Sequence, residues 1–249
     1  MGQDNMHQPL LETKGLTKYF KTQRGMLHAV DHVDVQIREK KTLGVVGESG
    51  CGKSTLGRTI LKLIEPTEGE ILYRGERIDG YTPAQMREMR KKMQIIFQDP
   101  YASLNPRKTV KDLIADPLKV YKVPKEQLEE TVARIMETVG IAKRFEQVYP
   151  HELDGGRRQR IGIARALVLH PEFIVCDEPV SALDVSIQAQ ILNLLMDLQE
   201  SHGLTYLFIT HDLSVVRHIS DDIMVMYLGV VVERAPSKEL FASPLHPYT

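Results

Sequence analysis

Cysteine is scarce in this chain: two among 249 residues, Cys51 and Cys176. No disulfide framework and no cysteine-rich metal site can be built from them, so a reducing compartment is expected. A surplus of either charge is also missing, with 32 Lys and Arg against 33 Asp and Glu and a net charge of -1. That balance leaves no electrostatic case for binding nucleic acid. The local basic runs Arg87 to Lys92 and Arg157 to Arg160 read as solvated helix faces. Long apolar runs are absent as well; none approaches the length needed to cross a bilayer. Met1 to Pro9 is polar and lacks the basic-then-apolar pattern of a leader. Any membrane role is therefore expected to come through partners. Tryptophan is missing, and neither a low-complexity tract nor an internal repeat is found. What remains is an ordinary globular composition, 42% hydrophobic and 26% charged, long enough for ample core.

The stretch Gly47-Glu48-Ser49-Gly50-Cys51-Gly52-Lys53-Ser54-Thr55 stands out. It follows the apolar run Leu43-Gly44-Val45-Val46 and precedes a helical pattern from Leu56 to Ile64. Strand, glycine-rich loop and helix is the context in which G-x-x-x-x-G-K-[ST] means a phosphate cradle. Glycines let the backbone curl several N–H groups toward one anion, and the helix adds its positive end. Lys53 supplies charge for the outer phosphates and Ser54 a hydroxyl for Mg2+. The loop specifies a nucleoside triphosphate without saying what its energy does.

Leu10 to Leu16, Leu27 to Ile37 and Glu70 to Tyr73 are rich in β-formers and predict a small antiparallel sheet. Tyr19-Phe20 falls between the first two on a polar stretch; from the residues alone the pair reads as a plug for the sheet edge, with stacking on an adenine as the other reading. Met93 to Phe97 predicts a short buried strand. Asp99 to Pro106 is expected to be non-helical, because prolines and turn formers interrupt it. Thr109 to Val120 and Lys125 to Val139 predict helices of an insertion, the second with Leu128, Val132, Ile135, Met136 and Val139 on one face. A helix from Arg157 to Leu169, a strand Phe173 to Cys176, an amphipathic helix through Ile187 to Leu198, a strand Leu204 to Ile209 and a hairpin around Leu228-Gly229 follow. The alternation implies an α/β fold with a mostly parallel sheet and helices on both faces. In such sheets ligand chemistry sits at the carboxyl ends of strands, where Gly47, Gln98, Asp177, Glu178 and His211 all fall.

Phosphoryl transfer to water needs charge neutralisation, a metal and an oriented water. Asp177, after four apolar residues, suits the acidic partner of Mg2+. Glu178 is placed to polarise the water. Gln98 could hold the metal or the water, and otherwise caps its strand. His211 could contact the terminal phosphate, a role it takes on only from its company. Leu153-Asp154-Gly155-Gly156-Arg157 opens a second helix with two glycines, a second anion site without a lysine. One nucleotide does not need two such helix ends, unless the second serves a nucleotide held by another subunit.

In order and spacing, the Lys53 loop, Gln98, the glycine pair, Asp177-Glu178-Pro179, Ser181-Ala182-Leu183-Asp184 and His211 resemble an ABC-transporter ATP-binding subunit over nearly the whole chain. Phe97 to Arg107 and His246-Pro247-Tyr248-Thr249 are similar to the dipeptide, oligopeptide and nickel uptake branch. The resemblance implies a P-loop NTPase (RecA-like) fold, a single ABC domain with core 1–98 and 166–249 and an inserted helical part 99–165. It implies ATP and Mg2+ as ligands, and ATP hydrolysis that drives uptake. Partners would be transmembrane permease subunits and a second ATP-binding subunit, identical or not, at the cytoplasmic face of the membrane. Two subunits would sandwich two ATP molecules, Gly47 to Thr55 of one facing Asp154 to Gly156 of the other. Phe20 lies where the family places its adenine-stacking aromatic, against the reading from residues alone. Gln98 would link nucleotide state to the membrane subunits, Asp184 would lie in the loop crossing the dimer, and His211 would hold the terminal phosphate.

One departure is notable. The family's usual L-S-G-G-Q is here Leu153-Asp154-Gly155-Gly156-Arg157. Aspartate caps a helix as well as serine does, but it brings like charge toward a phosphate, which Arg157 and Arg158 in the same turn are placed to neutralise. The alternatives are a site tuned by this change and a variant of no consequence. Cys51, in the phosphate loop at a helix start, is expected to be a thiol whose alkylation blocks activity; Cys176 is expected to be inert core. A soluble ABC ATPase outside transport, a nickel importer and a P-loop kinase stand as rival functions. The kinase would need an acceptor site that the chain does not display.

Overall fold

The computed structural model describes residues 8–23 and 25–249. Most of the polar segment Met1 to Pro9, in which no leader pattern is read, lies outside the described residues. The element order is β1 (Leu11–Thr22), β2 (Gly25–Ile37), β3 (Thr42–Val46), α1 (Lys53–Ile60), β4 (Glu68–Tyr73), β5 (Glu76–Arg77), α2 (Pro83–Lys92), β6 (Met93–Ile96), α3 (Pro100–Ser103), α4 (Val110–Val120) and α5 (Lys125–Thr138). It continues with α6 (Gly155–Leu167), β7 (Phe173–Asp177), α7 (Val185–His202), β8 (Thr205–Thr210), α8 (Leu213–Ile219), β9 (Asp222–Tyr227), β10 (Val230–Pro236) and α9 (Ser237–Ala242). Two compact units result, one running to Arg90 and resuming at Gly203–Thr249, the other Lys91–His202.

The first unit carries the antiparallel sheet β2-β1-β4-β5 and the strand run β10-β9-β3-β8. β3 is buried along its whole length and pairs in parallel with both β8 and β9, as a run of Leu, Val and Gly without alternation should. β9 and β10 form the expected antiparallel hairpin. Tyr19 and Phe20 depart from expectation: they belong to β1, paired with His28 and Leu27 of β2. Irregularities in the β1–β2 register between Thr13 and Tyr19 break the alternation that would have marked the strand. The basic run Arg87 to Lys92 does lie on a helix, α2, which buries Met86 and Met89.

The second unit holds the parallel pair β6–β7 and the helices α3 to α7. α5 buries the predicted face, with Leu128, Val132, Ile135 and Met136 inside, and Val139 just past its end is buried as well; each such side chain contributes roughly 1.5–3 kcal/mol of burial. Asp99 to Pro106 corrects the expectation of a helix-free segment. Pro100 occupies the first position of the one-turn helix α3, where its missing N–H costs nothing. Asp99 caps it, accepting from the Tyr101 and Ala102 N–H groups at 2.7 and 3.1 Å. α6 likewise starts two residues earlier than the apolar pattern indicated, at Gly155 directly after its cap.

Candidate functional site

In the first unit the chain leaves β3 at Val46 and curls through Gly47 to Gly52 into α1. Glu48, Ser49 and Gly50 are exposed, Ser54 and Thr55 half-buried. Gly52 precedes the helix with φ +108°, and a Cβ there would stand 1.9 Å from the Ala29 carbonyl oxygen of β2. Only glycine fits that position. Lys53 is 4% exposed, and its ammonium donates to the carbonyls of Gly47 and Glu48, each at 2.7 Å. The lysine thus folds back over its own loop and closes the cradle into a ring. Cys51 is 5% exposed, with its sulfur 3.8 Å from the Lys53 nitrogen.

Two further contacts of the loop come from the end of the chain. The Gly229 N–H, in the β9–β10 turn, donates to the Cys51 carbonyl at 2.9 Å, and the Gly229 carbonyl accepts from the Asp31 N–H at 2.8 Å. The Glu48 N–H donates to the Tyr248 hydroxyl at 3.0 Å. Sequence reasoning marked His246 to Thr249 only as a family feature. A contact spanning 200 positions has no periodicity by which to find it.

Phe20 and Tyr19 divide between the two faces of β1, as strand neighbours do. Tyr19 stacks on His28 with ring centroids 3.8 Å apart and donates to Asp31 at 2.6 Å. That hydrogen bond, with those of His32 and His28, pulls the Asp31 carboxyl down to about 2, and the same bond pushes the Tyr19 phenol up to about 12. Phe20 stays half-buried, with the Lys18 ammonium 5.0 Å from its ring. Tyr19 is therefore tied to its own sheet, while Phe20 has no such tie to the Asp31 cluster. At the end of β8, His211 is exposed; Asp212 behind it caps α8 through the Ser214 N–H at 2.7 Å.

In the second unit β7 delivers Asp177, 1% exposed. Burial first, and then the Asp177 charge, pushes the neighbouring Cys176 thiol well above its usual range, which suits an inert core residue. Glu178 takes a left-handed backbone, φ +48°, unusual for a residue with a Cβ and common where chemistry needs a side chain re-aimed. The Ser181 N–H and hydroxyl, at 3.3 and 3.1 Å, both donate to the Glu178 carbonyl and hold the turn. The Gln98 amide donates to the Glu178 carboxylate at 3.0 Å, so these two predicted residues meet directly.

Asp154 caps α6, accepting from the Arg157 N–H at 2.8 Å, while its other oxygen pairs with the Arg157 guanidinium. The neutralisation expected of Arg157 is thus present. Arg158 instead donates to the Leu153 carbonyl at 2.8 Å and covers the Tyr101 ring at 4.8 Å. The glycine pair lies against the start of α7: a Cβ on Gly156 would come within 2.7 Å of Ile187. Asp184 opens that helix, its carbonyl accepting from the Ile187 and Gln188 N–H groups at 2.9 and 2.8 Å. Asp154, Gly155, Gly156 and Asp184 therefore belong to one corner of this unit. Among the described residues, no three or more His, Cys, Asp or Glu converge as a metal cluster, and no helix is long and apolar enough to cross a membrane.

Known proteins resemble this chain in sequence and in fold. The sequence model of the ABC transporter family matches residues 30–181. The chain is 56% identical to the oligopeptide transport ATP-binding protein OppF of Bacillus subtilis over 98% of its own length and 81% of that protein's. It is 51% identical to the dipeptide transport ATP-binding protein DppF of Haemophilus influenzae, covering 97% and 76%. Among solved structures, the ATP-binding cassette MJ0796, a dimer in a post-hydrolysis state bound to ADP and Pi, superposes with a TM-score of 0.82 at 29% identity, covering 91% of this chain and 98% of that one. The fold is that of a P-loop NTPase, mixed α/β with an antiparallel N-terminal sheet and parallel strand pairing around β3. The chain belongs to the ABC transporter family and is a nucleotide-binding, ATP-hydrolysing cassette.

Proposed function

We propose that this chain is the ATPase subunit of an importer for oligopeptides or dipeptides. The observation that carries the transport role is the likeness to OppF and DppF along nearly the whole chain. The whole chain acts as one ATP-binding domain, with 99–165 as its helical insertion. Gly47 to Thr55 cradles the phosphates of ATP, Lys53 neutralises them, and Phe20 stacks on the adenine. Glu178 takes a proton from the attacking water, with Gln98 setting its carboxylate; His211 steadies the terminal phosphate. The oxygen donors offered here, a Ser54 hydroxyl, the Asp177 carboxylate and the Gln98 amide, suit Mg2+, which takes few protein ligands and keeps waters and phosphate oxygens. When bound, Mg2+ supplies charge to offset that developing on the phosphates.

Asp154 to Gly156 face the nucleotide of a second ATP-binding subunit, identical or homologous, and Asp184 lies at that junction. Permease subunits carry the membrane path, and the chain works against them from the cytoplasmic face. The test is co-purification with polytopic membrane subunits, followed by peptide-stimulated ATP hydrolysis in the assembly. Glu178→Gln is expected to keep ATP binding and to lower turnover by about 10²–10⁴-fold. Uptake of nickel instead of peptide, or activity without any membrane subunit, would overturn the substrate or the transport assignment respectively. Transfer of phosphate to an organic acceptor would overturn the hydrolytic one.

A further inference from the structure

The peptide plane joining Gly47 and Glu48 is held at both ends. Its carbonyl, on Gly47, accepts from the Lys53 ammonium at 2.7 Å, and its N–H, on Glu48, donates to the Tyr248 hydroxyl at 3.0 Å. A phosphate that draws the Lys53 ammonium toward itself competes with the first of these bonds and not with the second. Tyr248 is itself firmly seated. Its ring lies against Tyr227 at the end of β9, with centroids 4.5 Å apart. It also packs on the cluster formed by Val46, Val216, Ile223, Val225 and Leu240, and Val46 is the residue from which the loop departs. The segment before it is tethered by Glu233 of β10, whose two carboxylate oxygens accept from the Leu245 and His246 N–H groups at 2.8 and 3.0 Å. Tyr248 closes on its own turn, its N–H reaching His246 Nδ1 at 3.2 Å.

We propose that Tyr248 is a positioning residue for the phosphate loop: seated by the Glu233 tether, its hydroxyl keeps the Gly47–Glu48 peptide in register when Lys53 is drawn to a phosphate. This rests on reading Gly47 to Thr55 as the loop that binds ATP. Tyr248 does not touch the reacting atoms. Its effect is on how well the loop is preorganised, and so on affinity more than on the hydrolytic step.

The test uses the full chain and three variants. Tyr248→Phe removes only the hydroxyl, Glu233→Gln weakens the tether, and Lys53→Ala tests the loop itself. The readouts are titration with a fluorescent ATP analogue well below every melting temperature, hydrogen exchange at the Glu48 amide in protein alone, and the split between KM and kcat. Tyr248→Phe is expected to weaken analogue binding about 3–10-fold, the scale of one net hydrogen bond. It should speed exchange at Glu48 and raise KM with kcat unchanged. Glu233→Gln should do the same to a smaller extent. Lys53→Ala should lose binding. If Tyr248→Phe binds as the parent does with unchanged Glu48 exchange while Lys53→Ala loses binding, the positioning role is refuted and the loop assignment stands. If Lys53→Ala binds as the parent does, the loop assignment fails and the proposal with it.

Discussion

Alanine at Gly52 is the sharpest single test of the cradle. The added Cβ would lie 1.9 Å from the Ala29 carbonyl oxygen, against 3.4 Å or more in ordinary contact. The obstacle is backbone of a paired strand, so it cannot swing aside as a side chain tip would. The φ of +108° adds strain of roughly 1–3 kcal/mol, and the forced displacement costs roughly another 1–3 kcal/mol. The sum, about 2–6 kcal/mol, is a large part of the 5–15 kcal/mol typical of a folded domain and corresponds to a melting temperature lower by roughly 5–20 °C. Two companions grade the argument. Gly50 has φ +82° but open space around a Cβ, so Gly50→Ala carries strain alone, roughly 1–2 kcal/mol. Gly162, inside α6, has neither positive φ nor any atom within 4 Å of a Cβ, so Gly162→Ala is expected to stabilise by about 0.5–1 kcal/mol. Thermal and urea unfolding of the three variants, with and without ATP, measure this order. Gly52→Ala should also lose the extra stability that ATP confers. A Gly52→Ala protein as stable as Gly50→Ala, and equally stabilised by ATP, would show that the Ala29 contact does not constrain the loop.

Asp154→Ser keeps the cap and removes the charge, so unfolding should be unchanged while ATP turnover of the assembled transporter shifts by about two- to fivefold, the scale of one charge at a helix end; equal turnover and ATP affinity in the two proteins would make Asp154 a variant without consequence. Cys51, buried at 5% exposure, should alkylate slowly and more slowly still with ATP present, with activity lost in proportion; full activity after complete modification would refute its place in the site. Asp31, held at about 2 against an ordinary 3.8, stabilises the fold above pH 4, and that contribution is lost as pH falls toward 2. Tyr19→Phe removes the largest cause, so its deficit in melting temperature should be widest above pH 4 and narrow below it; a deficit independent of pH would refute the linkage.

The phosphate loop, the strand-end carboxylates and the glycine pair were legible because each couples residue type to a local frame, a strand before or a helix after. Gln98 and Glu178 meet because both follow neighbouring parallel strands; the apolar runs foretold the strands but not their pairing. Other features depended on geometry that local pattern does not carry. Tyr19 and Phe20 read as a polar stretch between two strands because irregular pairing hides the period of β1. The helix α3 was missed by counting its proline as a breaker, when Asp99 before it made that proline a first helical residue. α8 was within reach: Asp212 followed by Leu213, Val215, Val216 and Ile219 is a cap ahead of helical spacing. The Tyr248 contact was not within reach, since it joins β3's loop to a residue 200 positions further on.

The Gly229 turn bears on how the molecule comes apart. One residue donates to the phosphate loop at Cys51 and accepts from β2 at Asp31, so the turn of the β9–β10 hairpin is tied to both the loop and β2. Segments that share hydrogen bonds in this way are expected to open together more readily than singly. A ligand that steadies the loop is therefore expected to slow the opening of the β9–β10 turn as well.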